Sequence, residues 1–537
     1  MTPSKWLPAL CAAFLVTAAV SSDSVRSQAP VGPAPLCTVS STEFNGWKAP
    51  GKAGGFVPPN SANFDPSSDC AFYKWSSQMF LWLTTKDAGG ELKMFSPAFD
   101  NAVEDEDTSA FQLVRNAAGL DPGNKTRAMF RVRVNKPETL QLKSENGVAG
   151  DTGSTGQAGG GVLIVNGKSI PAPGKTGLAT YPVVYYAIEE NDVFTALAAD
   201  WRKVPYYHAG PNKGNFPITL DQATQIQTAS GKKLPNLAQL AIEVKSAWVD
   251  TAYLTRAQAA GLIKISSDVP AFSQSLNSKN QLQLTWDGKT MVTRTLAMVG
   301  MHVVGSVNHH PEMVWATFES HFNAPDATYS YLNQNYDPAT KTCKSGTCLN
   351  TVSFSVSSSK PTIFYNGPAG APAPSDVVVQ TASSSDSNTA ITSTTSSLVA
   401  TNVARLNPWG SQQPATPTLT DPVILNNTLL VSLMDSLRPK VAASGGSGPT
   451  LANYFLGGAI WSNRIIPPQP GNVEIGSLFV ANTTMETFQQ VRPGNPDPDA
   501  TANNCFSCHG QFNYKDTSKP KPGTSISHVF PNTVVLP

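Results

Sequence analysis

Read for its pattern of apolar and polar positions, the chain divides into three stretches. Phe72, Trp75, Met79 and Leu83 recur at helical spacing after Asp69, which predicts a helix capped by Asp69 with these four side chains in a core. From there to about residue 357 the pattern is mostly that of strands. Alternating or β-branched runs stand at Met129–Val134, Gly161–Val165, Tyr181–Ile188, Ile242–Val249, Leu282–Trp286, Met291–Val307, Pro311–His321 and Thr351–Val356, with a helix predicted over Asp221–Thr228. Gly147–Gly161 and Ala382–Ser397 are low-complexity and read as loops, the second as a linker. Beyond it the apolar spacing turns helical at Pro422–Leu437, Leu451–Trp461 and Ile475–Phe488.

The expected fold is α+β. A β-rich domain covers 29–400. A mainly helical, loop-rich region, 401–537, packs on it. Residues 1–28 read as an export signal, with Lys5 ahead of the apolar run Trp6–Val20. No later run is long enough to span a bilayer; the longest, Leu296–Val307, contains His302. Net charge is +1 and no basic run is present, which argues against nucleic acid as a partner. The 43 Pro and 40 Gly fit a loop-rich exported protein.

The chemistry-bearing motif is Cys505-Phe-Ser-Cys-His509, the C-x-x-C-H of covalent haem c. Two thiols at this spacing reach the two vinyl groups of one porphyrin, and the following His becomes the proximal iron ligand. With 7 Cys and 7 His in 537 residues, roughly 0.001 such motifs are expected by chance. A thioredoxin-like pair, half a zinc site or a disulfide would each leave His509 unexplained. Four other cysteines remain outside the leader. In an oxidising compartment they predict two disulfides, Cys343 with Cys348 around a turn at Gly346, and Cys37 with Cys70.

The 28 residues after His509 contain no Met, so a self-contained cytochrome domain with its own Met ligand is not expected. Three alternatives stand for the distal side of the iron: His528, Met485, or no protein ligand. His302, His309, His310 and His321 lie within twenty residues, and the alternation puts Met313, Trp315, Thr317, Glu319 and His321 on one face. A hairpin turning at His309-His310-Pro311 would bring His302 towards His321 or Glu319. These three are the candidate acid/base residues over the haem. A non-haem metal site or a plain polar turn are the other readings.

Ile242-Glu-Val-Lys-Ser-Ala-Trp248, Gly300-Met-His-Val-Val304, Trp315-Ala-Thr-Phe-Glu-Ser-His321, Asn482-Thr-Thr-Met-Glu-Thr-Phe488 and Asn504-Cys-Phe-Ser-Cys-His-Gly510 together resemble exported single-haem proteins of proteobacteria known as cytochrome c family proteins. The resemblance spans residues 242 to 510. It implies one covalent haem c and a periplasmic address, and no agreed reaction. The expected function is redox chemistry or electron transfer with a periplasmic redox partner or small-molecule substrate. The alternatives are a haem peroxidase or oxygen-activating enzyme, and a haem-based sensor.

Overall fold

The computed structural model describes residues 37–115, 184–352, 362–364, 405, 416–462, 474–486, 505–509, 522–530 and 533–535. Short gaps fall at 52–53, 88–89, 105–110, 272, 277–281, 286–288, 338, 445–447, 478 and 528. The expected leader, the strands at 129–134 and 161–165, both low-complexity loops and His528 lie outside the described residues.

A ten-stranded sheet organises the chain. Its strands are β1 (Phe99–Glu104), β2 (Phe111–Arg115), β3 (Val184–Asn191), β4 (Ile242–Asp250), β5 (Lys264–Pro270), β6 (Met291–Val307), β7 (His310–Ser320), β8 (Tyr454–Ser462), β9 (Glu474–Gly476) and β10 (Thr533–Val535). Their spatial order is β9-β8-β7-β6-β4-β3-β1-β2-β10, with β5 paired to the first half of β6. Every pairing is antiparallel except β10 with β2. The sheet takes strands from both sides of residue 400.

Both faces of the sheet are covered. On one face lie the helices α1 (Asp69–Leu83) and α4 (Pro422–Ala442), in a core with Val314, Ala316 and Phe318. On the other lie α2 (Asp192–Asp200), α3 (Leu220–Ser230) and the C-terminal segment, in a core with Val304, Met313, Trp315, Phe506 and Ile526. The predicted alternation along β7 is therefore real, although neither face meets water.

Local chemistry starts and stops these elements. Ser68, not the expected Asp69, is the N-cap of helix α1; Asp69 stands in the first turn, where its charge suits the helix dipole. Phe72, Trp75, Met79 and Leu83 are all buried, as the spacing predicts. Trp75 needs Gly305 on β6: a Cβ there would stand 2.9 Å from the indole. Helix α3 is capped by Thr219 and closed by Gly231 in the left-handed region. Helix α4 runs through Pro439, five residues past the Leu437 end predicted for it, because Leu437 and Val441 are both drawn into the core.

The C-terminal region differs from the helices predicted for it. Residues 451–461 form mainly strand β8, and the described residues between 475 and 486 hold the short β9 and a turn rather than a helix. Every β8 residue is buried. A run covered on both sides loses its period-two signature and reads equally well as a buried helix. Gly458 (φ 155°) sits at the β8 register shift, where a Cβ would stand 2.7 Å from Ser477.

Both expected disulfides are formed. Cys37–Cys70 and Cys343–Cys348 each have Cα atoms 5.6 Å apart, and Gly346 makes the turn inside the second. No helix among the described residues is long and apolar enough to cross a membrane.

Candidate functional site

The C-x-x-C-H motif forms one short helix, α5 (Cys505–His509), lying on the sheet face that carries Trp315. Phe506 anchors it. This ring is fully buried and meets the Trp315 indole edge-on at 6.0 Å between centroids. Cys505 is half-buried against the same core. The His509 ring lies 4.4 Å from the Trp315 ring, centroid to centroid. Trp315 is itself held, its Nε1–H donating to the Glu312 carbonyl at 2.9 Å.

His509 Nδ1 lies 2.8 Å from the Ile526 carbonyl oxygen. A carbonyl can only accept, so Nδ1 carries the proton and Nε2 keeps its lone pair. That tautomer is the one in which Nε2 can bind a metal, with the second nitrogen oriented by a backbone carbonyl.

The body of the protein holds Ile526 in place. Thr524 bonds the Tyr207 hydroxyl at 2.7 Å, and its N–H donates to the Gly214 carbonyl at 3.1 Å. Ser527 donates to Glu243 on β4 at 2.6 Å and accepts from the N–H groups of Val529 and Phe530.

The remaining candidates are spread along the β6–β7 hairpin. The turn is Asn308-His309, with His309 at φ 68°; His310 already pairs with Val307 inside the sheet. His302 stands opposite Thr317 and Glu319 opposite Gly300. His321, just beyond β7, is about 13 Å along the strand from the Thr317 position, at ~3.3 Å per residue. The expected meeting of His302 with His321 or Glu319 therefore does not occur. Glu319 is taken up by a buried ion pair with Arg405 and by the N–H and hydroxyl of Thr483. His321 packs on Phe455 and meets Arg438 at 3.3 Å. Burial, then the Arg438 charge, pushes its pKa down to about 3.

His302 has another partner. Its Nε2 lies 2.7 Å from Glu486 Oε1, and the second Glu486 oxygen accepts the Asn482 N–H at 3.0 Å. Burial alone would raise the Glu486 carboxyl; His302, Lys245 and the Asn482 N–H outweigh it and hold it below the usual range. His302 shares a face with Val304, two residues on, and Val304 pairs with Trp315. The pair thus stands one row, about 6.6 Å along the strand, from the row against which His509 packs. Sequence reasoning missed Glu486, although it singled out the Asn482–Phe488 motif for its Met.

Met485 is buried, its Cε 3.1 Å from where a Gly300 Cβ would stand, on the face that also carries His302. Gly300 lies four residues from Val304, so Met485 is about 13 Å along the strand from the His509 row. Among the described residues no group of three or more His, Cys, Asp or Glu is set to hold a metal ion, so the non-haem alternative finds no ligand cluster there.

No family model, curated protein or solved structure matches this chain.

Proposed function

We propose that the chain is a periplasmic c-type cytochrome carrying one covalent haem and acting in electron transfer. The observation that carries this reading is the His509 Nδ1–H bond to Ile526, which leaves Nε2 as a lone-pair donor on the helix that also holds the two cysteines. The donor chemistry fits haem c: two thiols for thioethers and one oriented imidazole. When bound, haem supplies a one-electron iron couple.

The chain's own residues have separate tasks. Cys505 and Cys508 tether, and His509 offers Nε2 to the iron. The Ile526 carbonyl fixes the ring orientation and raises the basicity of the ligand. Trp315 and Phe506 wall that side against water. The two disulfides fit an oxidising compartment, where haem is joined to C-x-x-C-H motifs.

A second reading is favoured by one observation. His302 and Glu486 form a shielded acid/base pair one row from Trp315. In an oxidoreductase with an open distal side this pair would move a proton to or from a bound substrate.

The optical spectrum of protein matured with haem tests both. A low-spin spectrum indifferent to carbon monoxide and peroxide supports electron transfer and excludes the second reading. A high-spin spectrum that responds at once to either does the reverse. Absence of covalently attached haem would overturn both.

A further inference from the structure

The row of side chains that brings Trp315 under His509 continues across the sheet into carboxyl groups. By register, Asp100 on β1, Glu190 on β3, Glu243 on β4, Val304 on β6 and Trp315 on β7 stand side by side. Directly opposed residues share a face, so this is one row on the side that carries α5.

Glu190 is 0% exposed, and neither of its carboxylate oxygens finds a donor on another described residue. Burial, then Glu243, Glu189 and Asp100, drives its carboxyl well above the usual range; only its own backbone N–H opposes this. Burial likewise pushes Glu243 up to about 6, against the Ser527 hydroxyl and Lys245.

An unpartnered buried acid costs stability that an apolar side chain would not, which makes it a candidate for function rather than for packing. The row also leads to the haem motif. Glu243 accepts from Ser527 at 2.6 Å, Ser527 follows Ile526, and the Ile526 carbonyl takes the His509 Nδ1–H at 2.8 Å. Two hydrogen bonds and one peptide link therefore join the proximal imidazole to the acid pair.

We propose that Glu190 and Glu243 form a proton-uptake site coupled to the haem iron, binding one proton when the iron gains an electron and releasing it when the electron leaves. The proposal rests on the haem reading above. A one-electron donor supplies the electron and solvent supplies the proton. One carboxyl O–H bond forms as one O–H bond of a solvent hydronium breaks, and the net charge of the site is unchanged. The cause is electrostatic: reduction removes a positive charge that had favoured the ionised carboxylate, so protonation becomes easier.

The charged groups next to this row in register or in sequence are Glu189 on β3, Asp192 at the head of α2, Lys245 on β4, His302 on β6 and Glu486 beside it. Arg115 occupies the register position opposite Asp100. Lys245 and His302 sit one row away, paired with each other.

The test is the midpoint potential of the haem-loaded protein, measured by spectroelectrochemistry from about pH 5 to about pH 8. One proton per electron lowers the potential by about 59 mV for each tenfold fall in proton concentration. The wild type should show such a slope within this range, and Glu190→Gln and Glu243→Gln should flatten it. A flat wild-type profile, or a slope kept in both variants, overturns the proposal. Should the variants not fold, the reduced-minus-oxidised infrared difference spectrum of the wild type decides. A protonated-carboxyl band gained on reduction supports the coupling, and its absence overturns it. Protein without a haem spectrum would instead overturn the haem reading itself.

Discussion

The imidazole of His509 is tied by its Nδ1–H to the Ile526 carbonyl at 2.8 Å, seventeen residues further along the chain. A motif that is local in sequence is thereby oriented by a segment fixed elsewhere, through Thr524 to Tyr207 and through Ser527 to Glu243.

His509→Ala should leave both thioether positions intact and remove the axial nitrogen. Matured protein is expected to keep covalent haem on a denaturing gel but show a high-spin spectrum. An unchanged spectrum would mean that His509 is not the proximal ligand.

Trp315 has two roles that substitution can separate. Trp315→Phe keeps most of the wall and loses the Nε1–H bond to Glu312, a cost of ~1 kcal/mol. Trp315→Ala also opens a cavity beside His509 and Phe506, a cost of ~3–5 kcal/mol. Guanidinium unfolding of the two variants measures the difference; equal losses would contradict the packing role.

Arg405 joins Glu319 and Asp326 in a pocket where its side chain is 4% exposed. Arg405→Met strands the Glu319 carboxylate among buried groups, and a loss of ~3–5 kcal/mol is expected on denaturant unfolding. The double variant Arg405→Met, Glu319→Gln should recover part of it. A single-variant loss below ~1 kcal/mol would reduce this to a surface-like pair.

His321 predicts an acid-side loss of stability. Its folded pKa is depressed to about 3, from an ordinary 6.5, by burial and then by Arg438. Between these values the unfolded chain binds the proton more readily, so stability falls as pH drops below about 6.5 and stops falling near 3. At ~1.4 kcal/mol per pH unit this reaches up to about 2 kcal/mol at pH 5. Chemical unfolding at pH 7 and pH 5 checks it, since His321→Gln should flatten the difference. A wild type equally stable at both values, with the variant unchanged, would rule it out.

Several features were legible in the residues alone because their causes are local. The C-x-x-C-H spacing is set by the geometry of one helical turn. The run Met291–Val307 is β-branched enough to read as a strand with its observed bounds. The four cysteines left outside the leader and the C-x-x-C-H motif, with the turn at Gly346, anticipated both disulfides. What is absent from local pattern is which distant residues meet. Tyr454–Ser462 reads as a helix because burial on both faces erases its period, and only pairing with β7 makes it a strand. His302 reads as a partner for His321 or Glu319, yet the fold gives it Glu486, 184 residues away. The acid row of Asp100, Glu190 and Glu243 exists only through the register of three strands that are far apart in sequence. A covalent motif carries its chemistry in five residues, whereas a buried charge acquires its partners only when the sheet closes around it.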